Sequence, residues 1–261
     1  MKIPDLFVNS NLINSEKFDY EWNKKVTDYI FIDSENENEK LEQAFDLLNH
    51  KAKIGLSAAI SEWIYWQMCQ KKNDKLAYYA IESIWASLID KRYIVNGDFF
   101  FREDDDTILQ DKIEGPLWRV SFLLSVLVRD YIRGRYSICI NLIPLTILAR
   151  HITSNKEDFD EWIANCLSRL ARDFPARYVR NKVKNNDIKE YKKGFYDSST
   201  EPAIPREFFF DESFIYDEKT SSKLINNFLG NISYQENIYL NSPEEMLNNG
   251  FDGVPYKYEI E

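Results

Sequence analysis

The stretch of sequence that decides the fold is IGLSAAISEWIYWQM, at positions 54–68. Its large apolar residues recur three and four positions apart, as they do along one face of an α-helix. They are Leu56, Ile60, Trp63, Ile64 and Trp66. The pattern predicts a long helical region over 37–72, and Gly55 is the point at which that region could divide into two helices.

The same periodicity, together with capping residues, predicts the remaining helices. They cover 16–30, 73–90, 115–134, 135–152 and 153–174, with two short ones at 220–229 and 243–249. The segment 115–134 is apolar on nearly every side, which is typical of a buried central helix. Pro144 predicts a kink or a brief break, and Ser154 with Glu157 predicts a capping box.

The sequence therefore predicts an all-α fold, a single helical-bundle domain of about seven helices that covers 1–261. Residues 1–193 form the helical core, and 194–261 form an irregular, acidic C-terminal wrap packed on that core. A single domain is favoured because no linker rich in Gly, Ser or Pro separates two halves. Within the wrap, 253–260 is a candidate strand.

Charge is spread unevenly along the chain, although the net value is −10. Residues 1–128 carry 15 basic and 22 acidic side chains, residues 129–193 carry 14 and 8, and residues 194–261 carry 4 and 13. One interpretation is that the acidic outer segments neutralise the basic middle within one fold. The other is a nucleic-acid site in the basic segment, formed by Arg169, Arg172, Arg177, Arg180, Lys182 and Lys184. The pI near 4.9 argues against nucleic acid as the partner.

Cysteine usage and hydropathy point to a soluble, cytoplasmic protein. Cys69, Cys139 and Cys166 are odd in number and widely spaced, so we expect reduced, buried thiols. The start of the chain lacks the apolar run of a secretory signal. The longest apolar stretches, 117–128 and 136–149, fall short of the roughly 20 residues of a membrane helix.

Motifs for catalysis, cofactors and metals are missing from the sequence. Neither GxxxxGK[ST] nor GxGxxG occurs. His50 ends the stretch FDLLNH and His151 ends a predicted helix, so we interpret each as a helix-end histidine favoured by the helix dipole and outside any catalytic pattern. The acids at 103–106 are consecutive, so their side chains diverge and do not easily converge on one metal ion. The sequence thus predicts no catalytic residue, no metal and no cofactor.

An enzyme with a site in the helical core is the principal alternative. Four arginines lie in strongly apolar helices, where they could grip an anionic substrate: Arg119, Arg129, Arg133 and Arg150. Such arginines more often pair with acids inside a fold. A deep pocket that holds two or more of them unpaired would favour the enzyme. A helical adaptor protein is a third possibility.

Two stretches, NGDFFFREDDD (96–106) and PREFFFDES (205–213), combine a phenylalanine triplet with acids. Consecutive side chains diverge from a regular element, so we expect at least one ring of the first triplet to lie at a surface or between elements. Aromatic anchors beside acids that steer a basic partner are typical of a protein interface, whereas a solvated loop is the simpler interpretation. The candidate partner-binding residues are Asp98, Phe99, Phe100, Phe101, Glu103, Asp104, Asp105, Asp106, Phe208, Phe209, Phe210, Asp211 and Glu212.

In overall character the helical region 54–173 resembles bacterial immunity proteins, which block toxins delivered by neighbouring cells, as in type VI secretion. GLSAAISEWIYWQM, IEGPLWRVSFLLS and LARHI carry this resemblance, and it assigns no role to any individual residue. It implies a non-enzymatic antitoxin that binds and neutralises a cognate protein toxin in the cytoplasm, without a cofactor. Many such toxins carry basic clefts, which would suit an acidic face on this protein.

Overall fold

Helices make up most of the protein, and the part of the chain that the structure describes contains no β-strand, so the all-α prediction is confirmed. A computed structural model describes residues 2–9, 19–33, 38–68, 74–95, 110–135, 138–177 and 196–259. Within these ranges no helix is both long and apolar enough to cross a membrane. We number the α-helices of these ranges α1 (Asp5–Asn9), α2 (Lys24–Asp28), α3 (Glu39–Asp46), α4 (His50–Met68), α5 (Lys75–Ser87), α6 (Glu114–Ile132), α7 (Cys139–Ile152), α8 (Lys156–Asp173), α9 (Glu207–Phe210), α10 (Glu218–Leu229) and α11 (Pro243–Asn248). A π-helical turn, Tyr29–Asp33, continues α2, and a 3₁₀ turn, Lys91–Tyr93, follows α5.

Positions 54–68 form most of α4, the helix at the centre of the protein. Every residue of α4 except Gln67 is buried, because α5, α6, α7 and α9 pack around it. Its serine hydroxyls are satisfied locally, since Ser57 donates to the Ile54 carbonyl at 2.7 Å and Ser61 to the Ser57 carbonyl at 2.8 Å. Such local hydrogen bonds allow a helix that carries polar residues to be buried on all sides.

Gly55 does not divide the helical region, so that prediction is wrong. The break falls earlier, at 47–49, between α3 and α4. A Cβ atom on Gly55 would lie 2.6 Å from Cζ of Phe209 and 2.8 Å from Cδ2 of Leu88. The glycine therefore serves close packing inside a continuous helix, not a change of direction.

Two predicted helix starts are confirmed by their capping contacts. Asp74 caps α5, and its Oδ1 accepts the backbone N–H groups of Leu76 at 3.0 Å and Ala77 at 3.1 Å. Ser242 and Glu245 form a reciprocal capping box at the start of α11. Both caps satisfy donors that the first turn of a helix leaves open.

Other local predictions need correction. The cap of α8 is Asn155, whose Oδ1 accepts from the Glu157 N–H at 3.3 Å, and not Ser154. The helix α7 runs through Pro144 without a break. No strand forms over the described positions 253–259.

The C-terminal segment 196–259 contains α9 to α11 and packs against α5 and the 3₁₀ turn. A second hydrophobic cluster joins the two regions, and its buried members are Ala86, Tyr93, Ala203, Ile225, Leu229, Leu240 and Met246. Hydrogen bonds reinforce this contact, since Asn241 Nδ2 donates to the carbonyls of Arg92 and Ile94 at 3.0 Å each. This segment, with residues of α5 and of the turn that follows it, lines two cavities.

Two of the three thiols lie inside the fold. Cys139 and Cys166 are free and buried, and burial raises their pKa values to about 11 and about 12, respectively. Both therefore remain protonated, unreactive thiols near neutral pH. Cys69 lies outside the described residues.

Candidate functional site

A groove of about 480 Å³ opens at the N-terminal end of α5. We call it the aromatic–acidic groove. Its lining comes from the end of α4, from α5 and from the loop after α10, and comprises Tyr65, Trp66, Lys75, Tyr78, Tyr79, Glu82, Asn231, Ser233 and Glu236. The volume lies within the range of small-molecule and side-chain binding sites.

The aromatic wall of the groove is a chain of ring contacts across two helices. The Tyr65 ring lies edge-on to the Trp66 ring, with centroids 5.1 Å apart. The centroid of the Tyr65 ring is 6.0 Å from that of Tyr78. Tyr78 in turn meets Tyr79 at 5.8 Å. Tyr65 and Trp66 are buried, whereas Tyr78 and Tyr79 are half-buried and so present ring surface to solvent.

Two carboxylates face this wall. Glu82 is buried and accepts a hydrogen bond from Asn237 Nδ2 at 3.1 Å, and the same amide donates to the Tyr79 carbonyl at 2.9 Å. Burial raises the pKa of the Glu82 carboxyl. Glu236 is exposed, and the Tyr79 hydroxyl donates to its Oε2 at 3.4 Å.

Beneath the groove, a buried ion pair fixes the indole of Trp66. Glu62 is fully buried, and its carboxylate accepts from Nε1 of Trp66 at 2.8 Å and from Nε1 of Trp85 at 3.1 Å. Arg206 donates to the same carboxylate through Nε, at 2.8 Å, and through Nη2. Nη2 of Arg206 also reaches the Lys2 carbonyl at 2.7 Å. The floor of the groove is thus preorganised by charge-assisted hydrogen bonds.

Aromatic faces beside carboxylates are complementary to an organic cation. An ammonium or guanidinium group gains from the ring quadrupoles and donates hydrogen bonds to carboxylate oxygens. In the described ranges no group of three or more His, Cys, Asp and Glu side chains is arranged to hold a metal ion. The groove thus presents aromatic faces and carboxylate oxygens together with the ammonium group of Lys75.

Of the residues predicted to bind a partner, none that the structure describes lines this groove. Positions 98–101 and 103–106 lie outside the described residues. The second triplet forms α9 and is buried: Phe208 meets Phe174 at 5.3 Å, Phe209 meets Trp85 at 5.3 Å, and Phe210 stacks on Trp162 at 6.1 Å.

The burial of this triplet means that it offers no exposed aromatic anchor, in contrast to our expectation for the second stretch. Side chains do diverge from this four-residue helix, but core elements surround it and receive all three rings. Asp211 and Glu212 remain exposed. Asp211 Oδ1 accepts from the backbone N–H and the hydroxyl of Ser213, at 2.9 and 2.6 Å.

The four arginines of the enzyme alternative have separate surroundings, and none lines the groove. Arg150 forms a bidentate pair with Asp160 at 2.7 and 2.9 Å. Nε of Arg129 lies 4.0 Å from Asp130, and Arg133 is exposed. The remaining guanidinium, of Arg119, lies over the rings of Phe31 and Trp118 at 4.7 and 4.9 Å.

The basic segment is partly engaged within the fold. Arg169 donates to the carbonyls of Asp211 at 3.1 Å and Phe214 at 2.6 Å, and Arg172 pairs with Asp173 at 2.7 Å. These contacts use guanidinium groups that a nucleic-acid site would present to phosphates. The remaining candidates of this segment that fall outside the described residues are Arg180, Lys182 and Lys184.

His50 begins a helix and does not end one, so the predicted favourable placement at a helix C-terminus is wrong. It is the first residue of α4, stacks on Tyr196 at 3.9 Å, and its Nε2 lies 3.1 Å from the Arg135 carbonyl. Burial, with Lys53 nearby, lowers the pKa of His50 to about 3. His151 does lie in the last turn of α7, with Nε2 2.6 Å from the Glu21 carbonyl.

The residues of the groove were not singled out by sequence reasoning. The predicted helices contain WIYW at 63–66 and YYAIE at 78–82. No local sequence feature links either stretch to Glu236, which lies more than 150 positions away. No family model, curated protein or solved structure matches this chain.

Proposed function

We propose that this protein is a non-enzymatic immunity protein that binds a basic segment of a cognate toxin in the cytoplasm and so neutralises the toxin. The observation that carries the proposal is the aromatic–acidic groove, in which four aromatic side chains and two carboxylates line one concave surface. A lysine or arginine of the toxin enters this groove. The resemblance of 54–173 to immunity proteins agrees with this assignment but does not locate the site.

Binding in this scheme combines short-range and long-range terms. Tyrosine and tryptophan are the side chains that most often dominate binding energy at protein interfaces. Carboxylates at the rim mainly raise the association rate and select against acidic partners. Residues 194–261, with 4 basic and 13 acidic side chains, act as an acidic wrap on a single helical-bundle domain and supply steering charge.

Short peptides test the groove directly. The full chain is titrated calorimetrically, at low salt, with blocked Gly-Arg-Gly and with Gly-Glu-Gly. We expect only the arginine peptide to bind, and Tyr78→Ala and Glu236→Gln to weaken it by about 2- to 5-fold each, as cation–π and exposed ion-pair energies imply. Tyr29→Ala and Glu244→Gln are matched controls at exposed positions outside the groove. Equal loss in the controls, or no preference for arginine, would refute the groove assignment.

Co-expression tests the biological role. The product of the adjacent gene is expressed alone and with this protein, and growth and co-purification are measured. We expect the adjacent product to be toxic, to be neutralised by the wild type, and to be neutralised less well by the combined Tyr78→Ala/Glu236→Gln variant. A non-toxic neighbour, or a toxic one that is neither neutralised nor co-purified, rejects the immunity function.

A further inference from the structure

A second cleft, of about 830 Å³, lies at the opposite end of α5 from the aromatic–acidic groove. Its lining comes from Ile89 and Asp90 after α5, from the loop 199–203, from α10 and from the last described stretch of the chain. Hydroxyl and carboxylate groups dominate its polar surface. None of the predicted partner-binding residues within the described ranges lies in it.

Most charges in this second cleft are already paired within the protein. Asp90 binds Arg92 at 2.5 Å, and Lys257 binds Glu259 at 2.5 Å. The carboxylate of Glu201 accepts the backbone N–H groups of His50 at 3.2 Å and Lys51 at 2.7 Å, at the start of α4. These groups are structural and do not point to a ligand.

Two exposed carboxylates and one buried hydroxyl of the cleft are not used in these pairs. Glu218 and Asp252 are exposed and form no ion pair within the described part of the chain. The residue Ser221 also lines the cleft; it is 2% exposed, and its Oγ is buried with no hydrogen-bond partner among the described residues. A buried polar group without a partner is costly, so it marks a position at which a ligand gains by supplying one. Two carboxylates and a hydroxyl are met by the N–H groups of an ammonium or guanidinium.

The two depressions lie at opposite ends of one pair of helices. Ala86 of α5 and Ile225 and Leu229 of α10 belong to the same hydrophobic cluster, so both helices border one packed region. Along α5, the groove residue Tyr79 and the helix end at Ser87 are about 12 Å apart at 1.5 Å per residue, and the cleft residue Asp90 follows three positions later. Along α10, Ser221 in the cleft and the helix end at Leu229 are about 12 Å apart by the same rise, and the groove residue Asn231 follows two positions later.

We propose that the second cleft holds a second basic segment of the same partner, so that the toxin is gripped at two points about 15 Å apart. This inference rests on the proposed function, since the groove supplies the first point. Once one segment is bound, the other binds intramolecularly, at an effective concentration in the millimolar range. Two individually weak contacts then produce tight binding without any further contact surface.

A bivalent peptide measures this coupling. The probe is two Arg-Arg dipeptides joined by an eight-residue Gly/Ser linker, whose root-mean-square length of roughly 15 Å matches the span. The monovalent reference has Ser-Ser in place of the second dipeptide. Affinities are measured by fluorescence anisotropy on the full chain. We expect the bivalent peptide to bind wild type at least about 10-fold more tightly than the reference.

Substitutions in the second cleft measure its contribution to binding separately from that of the groove. Glu218→Gln/Asp252→Asn is expected to reduce the bivalent gain to about 2-fold, the statistical factor for two equivalent ends at one site. Ser221→Ala is expected to reduce the gain partially. The control, Glu157→Gln/Glu244→Gln, removes two acids from first helical turns outside both cavities and is expected to keep the gain.

Each other result overturns a specific statement. If Glu218→Gln/Asp252→Asn keeps the full gain while Glu236→Gln weakens both peptides, the second point is wrong and the groove stands. If the control loses the gain to the same extent, the effect is general charge attraction and the two-point inference falls. If neither peptide binds wild type, the groove assignment fails and the second point fails with it.

Discussion

Replacing Arg206 by methionine removes the guanidinium that neutralises Glu62 at the centre of the protein. The Glu62 side chain is 0% exposed and that of Arg206 is 14% exposed. Methionine has a similar length, so it keeps much of the packing against the Phe210 ring, which lies 5.3 Å from the guanidinium carbon. The substitution therefore changes mainly the charge and the hydrogen bonds around Glu62.

The size of the destabilisation depends on the hydrogen bonds that Glu62 retains. Without Arg206, the indole donors of Trp66 and Trp85 are the hydrogen bonds that the buried carboxylate keeps within the described part of the chain. Removing one partner of a buried ion pair costs about 3–5 kcal/mol. For a chain of this size that loss lowers Tm by roughly 6–20 °C.

A second substitution, at Glu62, tests whether the destabilisation comes from the unpaired charge. In Glu62→Gln/Arg206→Met, the glutamine carbonyl still accepts from the indoles but carries no charge. We expect the free energy of unfolding of the double variant to exceed that of Arg206→Met by at least about 2 kcal/mol, because neutral replacement of a buried pair is often tolerated. The double-mutant cycle therefore yields a strong coupling energy between the two positions.

Urea denaturation followed by tryptophan fluorescence measures these free energies. Lys257→Met is the control, since it breaks an exposed pair with Glu259 and is expected to cost less than about 1 kcal/mol. A loss below about 1 kcal/mol for Arg206→Met would refute the reasoning. So would a double variant as unstable as the single, because the damage would then come from packing.

Two further predictions concern α4. Gly55→Ala places a methyl group against the buried Phe209 and Leu88, so we expect a net destabilisation of about 0–2 kcal/mol in thermal melts. The overpacking cost of about 1–3 kcal/mol exceeds the helix-propensity gain of about 1 kcal/mol. Phe209→Leu should relieve part of the added cost, and a rise in Tm for Gly55→Ala alone would contradict the packing role. The pKa of His50 is about 3 when folded and near 6.5 when unfolded, so the unfolded chain binds the extra proton between these values and stability falls as pH drops below about 6.5, by about 1.4 kcal/mol per pH unit. His50→Gln is expected to remove that contribution between pH 6.5 and 5, and an unchanged slope in urea titrations would show that His50 is not its source.

The sequence predicted recognition of a basic partner by aromatic and acidic groups, and our proposal keeps that prediction but assigns it to other residues. The predicted second patch loses its rings to the core, because α9 packs against Phe7 near the start of the chain and against Trp85, Trp162 and Phe174. The groove instead takes its rings from α4 and α5 and its exposed acid from Glu236. The chemistry expected of the partner is unchanged, and the location is new.

Local features of the sequence were sufficient for most helices. Asp74 and the Ser242–Glu245 pair act within one turn of their own chain, so their capping roles are readable without the fold. The 54–68 periodicity likewise locates α4. The error at Ser154 is one of register by a single position, where Asn155 competes for the same role.

The sequence by itself determined that this protein is helical, where its main helices lie, and that acids are concentrated near its C-terminus, because helix spacing, caps and net charge are local or additive properties. Only the tertiary structure decided which aromatic residues face solvent. Burial depends on what packs against a side chain from distant positions: Phe209 fills the space left by Gly55, and Glu236 meets Tyr79 across more than 150 residues. Such contacts leave no periodic trace in the chain, so the groove became visible only in the folded protein.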